Sequence, residues 1–119
     1  MKTILFLDDD PDRHAFLPNK FPKDRIIHVY TLNEFRKALE YFDAFDVISL
    51  DYDLNDFKHE SLEGSGLATG LDACGYMIAY RAKLPQEVLI HSWNEDGSKE
   101  MAAFLESRGI AYRLEEFPI

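Results

Sequence analysis

The chain has 119 residues, of which 46% are hydrophobic and 29% charged, a composition typical of a single globular domain over residues 1–119. Its 22 acidic residues outnumber its 13 lysines and arginines, and the formal charge of −9 argues against a groove for long nucleic acids. The single cysteine, Cys74, excludes an intrachain disulfide and favours a cytoplasmic location and a buried, small-hydrophobe role. No apolar run reaches membrane-spanning length, and MKTILFLDDD turns acidic too early for a signal peptide.

The first apolar run, TILFL at Thr3–Leu7, predicts a buried strand, and three aspartates follow it directly. The next connection, PDRHAFLPNKFPKD, is interrupted by Pro18 and Pro22, so we expect its helix to be short. A second strand is predicted at Ile26–Tyr30 (IIHVY). The tetrapeptide TLNE, which starts at Thr31, is a capping box and predicts that the second helix begins there.

The rest of the chain repeats this alternation of apolar runs and helical patterns. The stretch NDFKHESLEGSG predicts a loop, either a lid that brings Lys58 or His59 to a ligand or a solvated connection. The remaining predicted elements are a strand at Asp46–Leu50, a helix from near Gly70 to about Lys83, a strand at Glu87–His91, a helix around Lys99–Arg108 that Gly109 ends, and a strand at Ile110–Leu114.

This order of elements predicts a doubly wound α/β fold. Continuous apolar strands separated by helices indicate a parallel sheet with helices on both faces. Right-handed crossovers then favour five strands in the order 2-1-3-4-5, as in flavodoxin-like folds. Only EEFPI follows the fifth strand, so we expect the final helix of such folds to be missing. One sheet face is then incompletely covered, and we expect a homodimer or a compensating packing of the first connection.

Carboxylates gather where the predicted strands end. Asp8, Asp9 and Asp10 follow the first strand, and Asp51 and Asp53 follow the third. These strands are neighbours in the predicted order, and ligands bind at the carboxyl ends of such sheets, so we expect Asp8, Asp9 and Asp51 to converge. Two carboxylates about 4 Å apart repel by roughly 4 kcal/mol at an effective dielectric near 20, and a divalent cation relieves that repulsion. Oxygen ligands favour Mg²⁺ or Mn²⁺ over zinc, with Asp53 as a further ligand. The alternative is that these acids cap the following helix, a role that suits Asp10 or Asp12.

The fourth predicted strand ends in HSWN. His91 is a candidate general acid for a leaving alkoxide, and the alternative is a histidine satisfied within the sheet. Ser92 and Asn94 are candidates to bind phosphate, a role compatible with Asn94 capping the helix that follows. Trp93 offers either a stacking surface for a base or a core or interface residue.

Two residues of the first connection and one later residue complete the candidate set. Arg13 can clamp phosphate oxygens through two N–H groups, or it can pair with a neighbouring acid on a solvated helix. His14 is a candidate for phosphate binding or for packing. Thr69, in the pair TG, is a candidate to contact phosphate, although it also stands where the third helix is predicted to begin.

The acidic pair that ends strand one and the aspartate that ends strand three resemble the receiver domains of response regulators. A narrower similarity joins FLDDDPDRH, ISLDYDL, TGLDA and HSWN, with the downstream Met101, to the receiver-like family named for cyclic-phosphate processing. This similarity extends over about residues 4–105 and depends on several separated motifs.

The resemblance implies a role for each matching residue. In receivers the acidic pair, here Asp8 and Asp9, holds Mg²⁺, and the position of Asp51 accepts a phosphoryl group. Ser92 matches the hydroxyl residue that receivers carry at the end of the fourth strand. Where receivers place a lysine after the fifth strand, this sequence has Glu115 or Glu116.

Two functions follow from the resemblance. The narrower family implies a stand-alone, Mg²⁺-dependent phosphoesterase in which Asp51, His91 and Arg13 carry out the reaction. Its substrate would be a small phosphorylated molecule or an RNA terminus with a cyclic (2′,3′-type) or terminal phosphate. The alternative is a phosphoacceptor module of a phosphorelay, in which Asp51 is the acceptor.

Overall fold

The computed structural model describes residues 1–57, 67–80 and 84–115. Within those ranges, no helix combines the length and the apolarity that crossing a membrane requires. The elements, in chain order, are β1 (Thr3–Leu7), α1 (Pro11–Lys20), β2 (Arg25–Val29), α2 (Leu32–Tyr41), β3 (Val47–Leu50), β4 (Asp53–Phe57), β5 (Leu67–Thr69), α3 (Gly70–Ala79), β6 (Glu87–Ile90), α4 (Glu95–Ser107) and β7 (Arg113–Leu114).

Five parallel strands form the main sheet, in the order β2-β1-β3-β6-β7. Since β6 and β7 are the fourth and fifth strands of this sheet, the predicted order 2-1-3-4-5 is confirmed. The register places Leu7 opposite Leu50, and Leu50 opposite Ile90, so β1, β3 and β6 end side by side. The residues that follow these three strands therefore meet at one edge of the sheet.

The helix ends follow the chemistry of their capping residues. Asp10 accepts a hydrogen bond from the N–H of Asp12 at the start of α1, and Thr31 caps α2 as predicted. Asn94 caps α4, which begins at Glu95, earlier than the sequence pattern predicted. At the other end of α4, Gly109 has a positive φ of 72°, which glycine adopts without steric penalty, and it ends the helix as predicted.

Successive side chains of β1 point to opposite faces of the sheet and belong to different apolar clusters. Leu5 and Leu7 belong to the large cluster formed with α2, α3 and α4. Ile4 and Phe6 lie on the opposite face, where Phe6 packs with Leu17 of α1. The apolar clusters on the α1 face of the sheet are therefore smaller than the cluster on the opposite face.

The first helix is longer than predicted. Helix α1 has ten residues and includes Pro18, because a proline near the C-terminal end of a helix removes only one backbone hydrogen bond. The N–H of Phe21 still bonds to the carbonyl of Leu17 at 3.0 Å, which closes the last turn.

The segment after α1 packs on the sheet face that was expected to be incompletely covered. This compensating packing was one of the two expectations for that face. Phe21 contacts the cluster of Ile4, Val47 and Leu89, residues of β1, β3 and β6. An ion pair between Lys20 and Glu115 further ties the end of α1 to the residue after β7. The alternative expectation of a homodimer stays a prediction, and residues 116–119, which contain the rest of EEFPI, lie outside the described residues.

A two-stranded antiparallel sheet, β4 with β5, replaces part of the predicted loop. The loop prediction was wrong for residues 55–57, because pairing with residues 67–69 stabilises an extended backbone that the polar sequence of β4 does not indicate. The central part of that stretch, with Lys58 and His59, lies outside the described residues, as does the predicted end of the third helix at residues 81–83.

Cys74 is fully buried in α3, as the sequence predicts. Burial raises the pKa of its thiol to about 12, so the side chain stays protonated at neutral pH. It acts as a small core residue and not as a nucleophile.

Two glycines of α3 provide a matched test of the packing beneath the site. A Cβ at Gly70 would lie 2.2 Å from the backbone oxygen of Asp51, whereas a Cβ at Gly75 would have no neighbour within 4 Å. We expect Gly70→Ala to lower the free energy of unfolding by about 1–3 kcal/mol or more. Gly75→Ala should raise it by roughly 0.5–1 kcal/mol because alanine favours the helix. Urea denaturation measures both, and equal effects at the two positions would contradict the packing described.

Candidate functional site

Three ionisable side chains meet where β1, β3 and β6 end. Asp8, Asp51 and His91 are all buried, and each offers a ligand atom within 4.8 Å of the other two. The strand ladder extends by one residue to position them: the N–H of Asp51 bonds to the carbonyl of Leu7, and that of His91 to the carbonyl of Leu50, both at 3.0 Å. The predicted convergence holds for Asp8 and Asp51, and strand register is its origin, whereas Asp9 is not part of this cluster and His91 takes the third place.

Three donors surround the carboxylate of Asp8. It accepts hydrogen bonds from His91 Nε2 at 2.9 Å, the backbone N–H of Asp10 at 2.8 Å and Arg13 Nη1 at 3.1 Å. Burial alone favours the protonated acid, but the hydrogen bonds from His91 and Asp10 and the charge of Arg13 lower the pKa of Asp8 overall. Asp8 is thus a permanent anion at neutral pH.

The carboxylate of Asp51 has different hydrogen-bond partners from that of Asp8. It accepts from its neighbour Tyr52, whose N–H lies 2.9 Å away, and contacts Arg13 Nη1 at 3.5 Å. Burial, and then the nearby charge of Asp8, raise the pKa of Asp51 to about 7, despite the opposing effects of Arg13 and of a hydrogen bond from Ser92. The two aspartates therefore have different environments, and a single guanidinium stands between them.

His91 lies behind Asp8 and does not line the cleft. Its ring is 0% exposed and stacks on Phe6 with centroids 4.6 Å apart. Because a carboxylate only accepts, Nε2 carries the proton donated to Asp8, and Nδ1 of the neutral ring accepts from the hydroxyl of Ser49 at 2.7 Å. Burial lowers the pKa of His91, which favours this neutral form. The expectation that His91 protonates a leaving oxygen does not match this placement, because both ring nitrogens are engaged.

The sequence pattern did not predict the role of Ser49, although its polar side chain interrupts the apolar run VISL. We expect Ser49→Ala to lower the free energy of unfolding by roughly 1–3 kcal/mol, because it removes the hydroxyl that donates to the buried Nδ1 of His91. Ser107→Ala is the matched control, since its exposed hydroxyl bonds only to a backbone carbonyl within α4, that of Phe104. That change should stay within about 0.5 kcal/mol. Equal unfolding curves for the two variants would rule out the bond between Ser49 and His91.

His14 is also placed away from the cleft, so its predicted contact with phosphate does not match the structure. Its Nε2 donates to the backbone oxygen of Asp8, and its Nδ1 lies 2.7 Å from Nδ1 of His28. The ring stacks on Tyr30 with centroids 3.8 Å apart. His14 therefore supports the backbone of the aspartate segment, which is the packing alternative.

Thr69 caps α3 and does not line the cleft. Its N–H and its hydroxyl both bond to Asp72, at 2.9 and 3.4 Å, in a capping box. The suggested contact of Thr69 with phosphate does not match this geometry, because the side chain already serves the helix start.

An open cleft of about 360 Å³ lies at the same edge of the sheet. Asp9 lies in this cleft, and burial together with the charge of Asp8 raises its pKa. Asn94 Nδ2 donates to Asp53 across the cleft wall at 3.2 Å, while the Asn94 N–H bonds to Ser92 Oγ at 3.1 Å. The lining residues are Asp9, Asp10, Pro11, Arg13, Asp51, Asp53, Ser92, Trp93 and Asn94.

The positively charged side chain that lines this cleft belongs to α1. Arg13 is the basic residue among the lining residues that the structure describes. Glu115, one of the two glutamates at the place where receivers carry a lysine, pairs with Lys20 and with Arg113. Desolvation of Arg13 is outweighed by the charge of Asp8 and by its hydrogen bond, so the pKa of Arg13 is raised and it stays charged.

A family profile described as "Cyclic-phosphate processing Receiver domain" matches residues 3–107, most of the chain. The chain belongs to this family. A search among curated proteins gives no significant match. The match confirms the family that the motifs DDDPDR, LDYDL and HSWN indicated.

Solved structures of receiver domains share the fold. TrrA, a response regulator of Thermotoga maritima solved with Mg²⁺ and BeF, is 17% identical, with a TM-score of 0.68 over 99% of this chain and 90% of that chain. The receiver domain of a Pseudomonas aeruginosa sensor histidine kinase, with a magnesium ion coordinated in its active site cleft, is 16% identical, with a TM-score of 0.69 over 99% of this chain and 86% of that one. At these identities the likeness shows the fold alone, and a doubly wound receiver fold is confirmed.

Proposed function

We propose that this cyclic-phosphate processing receiver domain is a metal-dependent phosphoesterase. Its substrates would be small phosphorylated molecules or RNA termini that carry a cyclic 2′,3′-type or terminal phosphate. The observation that carries the proposal is the position of Arg13, which stands in the cleft within 3.1 Å of Asp8 and 3.5 Å of Asp51. A planar guanidinium beside paired carboxylates suits the recognition of a phosphate bound together with a cation.

The donor chemistry of the site fits a divalent cation such as Mg²⁺ or Mn²⁺. Asp8, Asp9, Asp51 and Asp53 would hold it, and all four offer hard oxygen atoms. Arg13 alone does not balance these acids, as the raised pKa of Asp51 indicates. When bound, such a cation neutralises charge that develops on phosphoryl oxygens.

Residues around the cleft would bind and orient the phosphate. Arg13 would donate two N–H groups to its oxygens, and the Ser92 hydroxyl and the Asn94 side chain would donate from the start of α4. His91 would act through Asp8, since its N–H fixes the orientation of that carboxylate from behind. In this proposal His91 is a positioning residue, and the open cleft lets water protonate the leaving oxygen.

In the proposed reaction, the oxygen of one water molecule forms a bond to phosphorus, and one of the two ester P–O bonds of the cyclic phosphate breaks. The released alkoxide takes up a proton, and the product is a phosphate monoester. The chain is unchanged after the cycle, so many substrate molecules should be converted per protein molecule.

The proposal is tested by incubating the purified protein with nucleoside 2′,3′-cyclic monophosphates and Mg²⁺ or Mn²⁺, and following the products by ³¹P NMR. Multiple turnover that EDTA abolishes is the expected result. His91→Gln, which retains an N–H donor for Asp8, should keep more activity than His91→Ala. The enzyme proposal fails if cyclic phosphates stay intact with both metals.

A second candidate function rests on the placement of Asp51. Its carboxylate borders the cleft beside the Ser92 hydroxyl, at the position that accepts phosphate in receivers. In that case a phosphodonor would transfer its phosphoryl group to Asp51. Incubation with acetyl phosphate followed by intact mass measurement separates the two candidates: a stable adduct at Asp51 without ester turnover supports the phosphoacceptor module.

A further inference from the structure

We propose that Trp93 stacks on the base of a single nucleotide and that the acidic cleft rim excludes a longer strand. The preferred ligand is therefore a mononucleotide and not the end of a long RNA. This inference rests on the proposed phosphoester chemistry of the cleft. Among the proposed substrates, it favours mononucleotides over RNA termini.

The first observation is the exposure of Trp93. Its side chain is 54% exposed although it lies directly between the cleft residues Ser92 and Asn94. Within the part of the chain that the structure describes, no ring stacks on it. A large indole kept half in water at the edge of this cleft is a surface on which a flat aromatic ligand can pack.

The second observation is the size of the cleft. A volume of about 360 Å³ falls within the range of small-molecule sites and exceeds what a phosphate group alone fills. Arg13 and Trp93 both line it, so a ligand with a phosphate at one end and a base at the other would engage both. One base is enough to cover the single indole of this chain.

The third observation is the charge at the openings of the cleft. Besides the acids that would hold the cation, the segments that border the cleft carry further carboxylates: Asp10 and Asp12 around the start of α1, and Glu95 and Asp96 at the start of α4. Arg13 and Lys99 are the basic residues in the first five positions of α1 and α4. Each further phosphate of a strand that leaves the cleft would meet these carboxylates and be repelled.

Fluorescence tests the stacking without any requirement for turnover, because Trp93 is the only tryptophan of the chain. Adenosine 3′-monophosphate, titrated with Mg²⁺ present, should quench the emission, whereas inorganic phosphate should leave it nearly unchanged. If the nucleotide binds by calorimetry and the emission does not change, the stacking assignment is wrong.

Variants separate stacking from folding. Trp93→Ala should weaken binding of adenosine 3′-monophosphate, measured by calorimetry, by roughly 10-fold or more, and Trp93→Phe should restore most of it. Tyr41→Ala, which removes an aromatic ring that is 74% exposed on α2, is the control and should bind like the wild type. Equal affinity of Trp93→Ala and wild type overturns the proposal, even if the protein hydrolyses cyclic phosphates.

Kinetics with two substrates test the exclusion of a strand. Adenosine 2′,3′-cyclic monophosphate should have a KM at least several-fold lower than that of a ten-nucleotide RNA with the same cyclic end, and lower salt should widen the difference. A KM for the RNA that is equal or lower overturns the mononucleotide assignment. If neither molecule is turned over, the proposed function fails, and the fluorescence and calorimetry still decide the role of Trp93.

Discussion

Asp51→Asn is expected to abolish phosphoester turnover and, in metal-free buffer above pH 7, to stabilise the fold. Turnover should fall at least about 10³-fold, because the variant lacks a carboxylate that would hold the proposed cation against the phosphate. The gain in stability has a separate cause. The wild-type protein buries a charge beside Asp8, and the asparagine removes that repulsion while its amide oxygen can still accept from the N–H of Tyr52.

The size of the gain follows from the pKa of Asp51, which is about 7 in the folded protein against an ordinary value of 3.8. The folded state binds this proton more tightly than the unfolded chain, so the contribution of Asp51 to the free energy of unfolding decreases as pH rises between about 4 and 7. Above that window the difference corresponds to up to about 4 kcal/mol in favour of Asp51→Asn.

Urea denaturation at pH 5 and pH 8 in EDTA measures this effect. The advantage of Asp51→Asn should be larger at pH 8 than at pH 5, and Mg²⁺ should stabilise the wild type more than the variant. Asp43→Asn, in the exposed loop after α2, is the control and should shift stability by less than about 0.5 kcal/mol at both pH values. A variant less stable than wild type at pH 8 would contradict the charge repulsion argued for this site.

Arg13→Gln is expected to strengthen the binding of Mg²⁺ and to lower turnover. Its guanidinium lies between the carboxylates of Asp8 and Asp51, where it supplies positive charge in the metal-free protein. A divalent cation that binds these acids competes with it. We therefore expect the variant to bind Mg²⁺ about tenfold more tightly, although turnover of a cyclic phosphate falls by at least about 10² because the phosphate loses its clamp.

Calorimetric titration with Mg²⁺ and steady-state kinetics measure the two effects of Arg13→Gln. Arg108→Gln is the control for the loss of one positive charge, because Arg108 packs over Phe104 at the end of α4. It should change neither the magnesium affinity nor turnover by more than about twofold. Weaker magnesium binding by Arg13→Gln would show that the guanidinium does not compete for the carboxylates.

The sequence predicted the sheet because its strands are continuous apolar runs with helical patterns between them. Neighbouring parallel strands must end together, so the acids that follow β1 and β3 could be placed at one edge before any coordinates were known. The same reasoning brought HSWN to that edge. These conclusions depend only on chain order and on the direction of parallel strands.

The orientation of the side chains depends on tertiary contacts that the sequence does not display. His91 was expected in the cleft, but Phe6 packs on its ring and Ser49 binds its second nitrogen, and both residues come from other strands. His14 is held by His28 and Tyr30, which also come from another part of the chain. Thr69 is held locally, by Asp72 at the start of its own helix. The pairing of β4 with β5 was missed because backbone hydrogen bonds across a connection leave no apolar pattern in β4.

The strand order has a consequence for how the molecule can form during synthesis. Once β1 and β2 are paired, each later strand of the main sheet joins the same growing edge: β3 beside β1, then β6, then β7. Asp8 and Asp51 therefore face each other as soon as β3 has docked, and His91 arrives only with β6. The three clustered side chains need no residue of β7, and the contact between Lys20 and Glu115 fastens that last strand to the first helix.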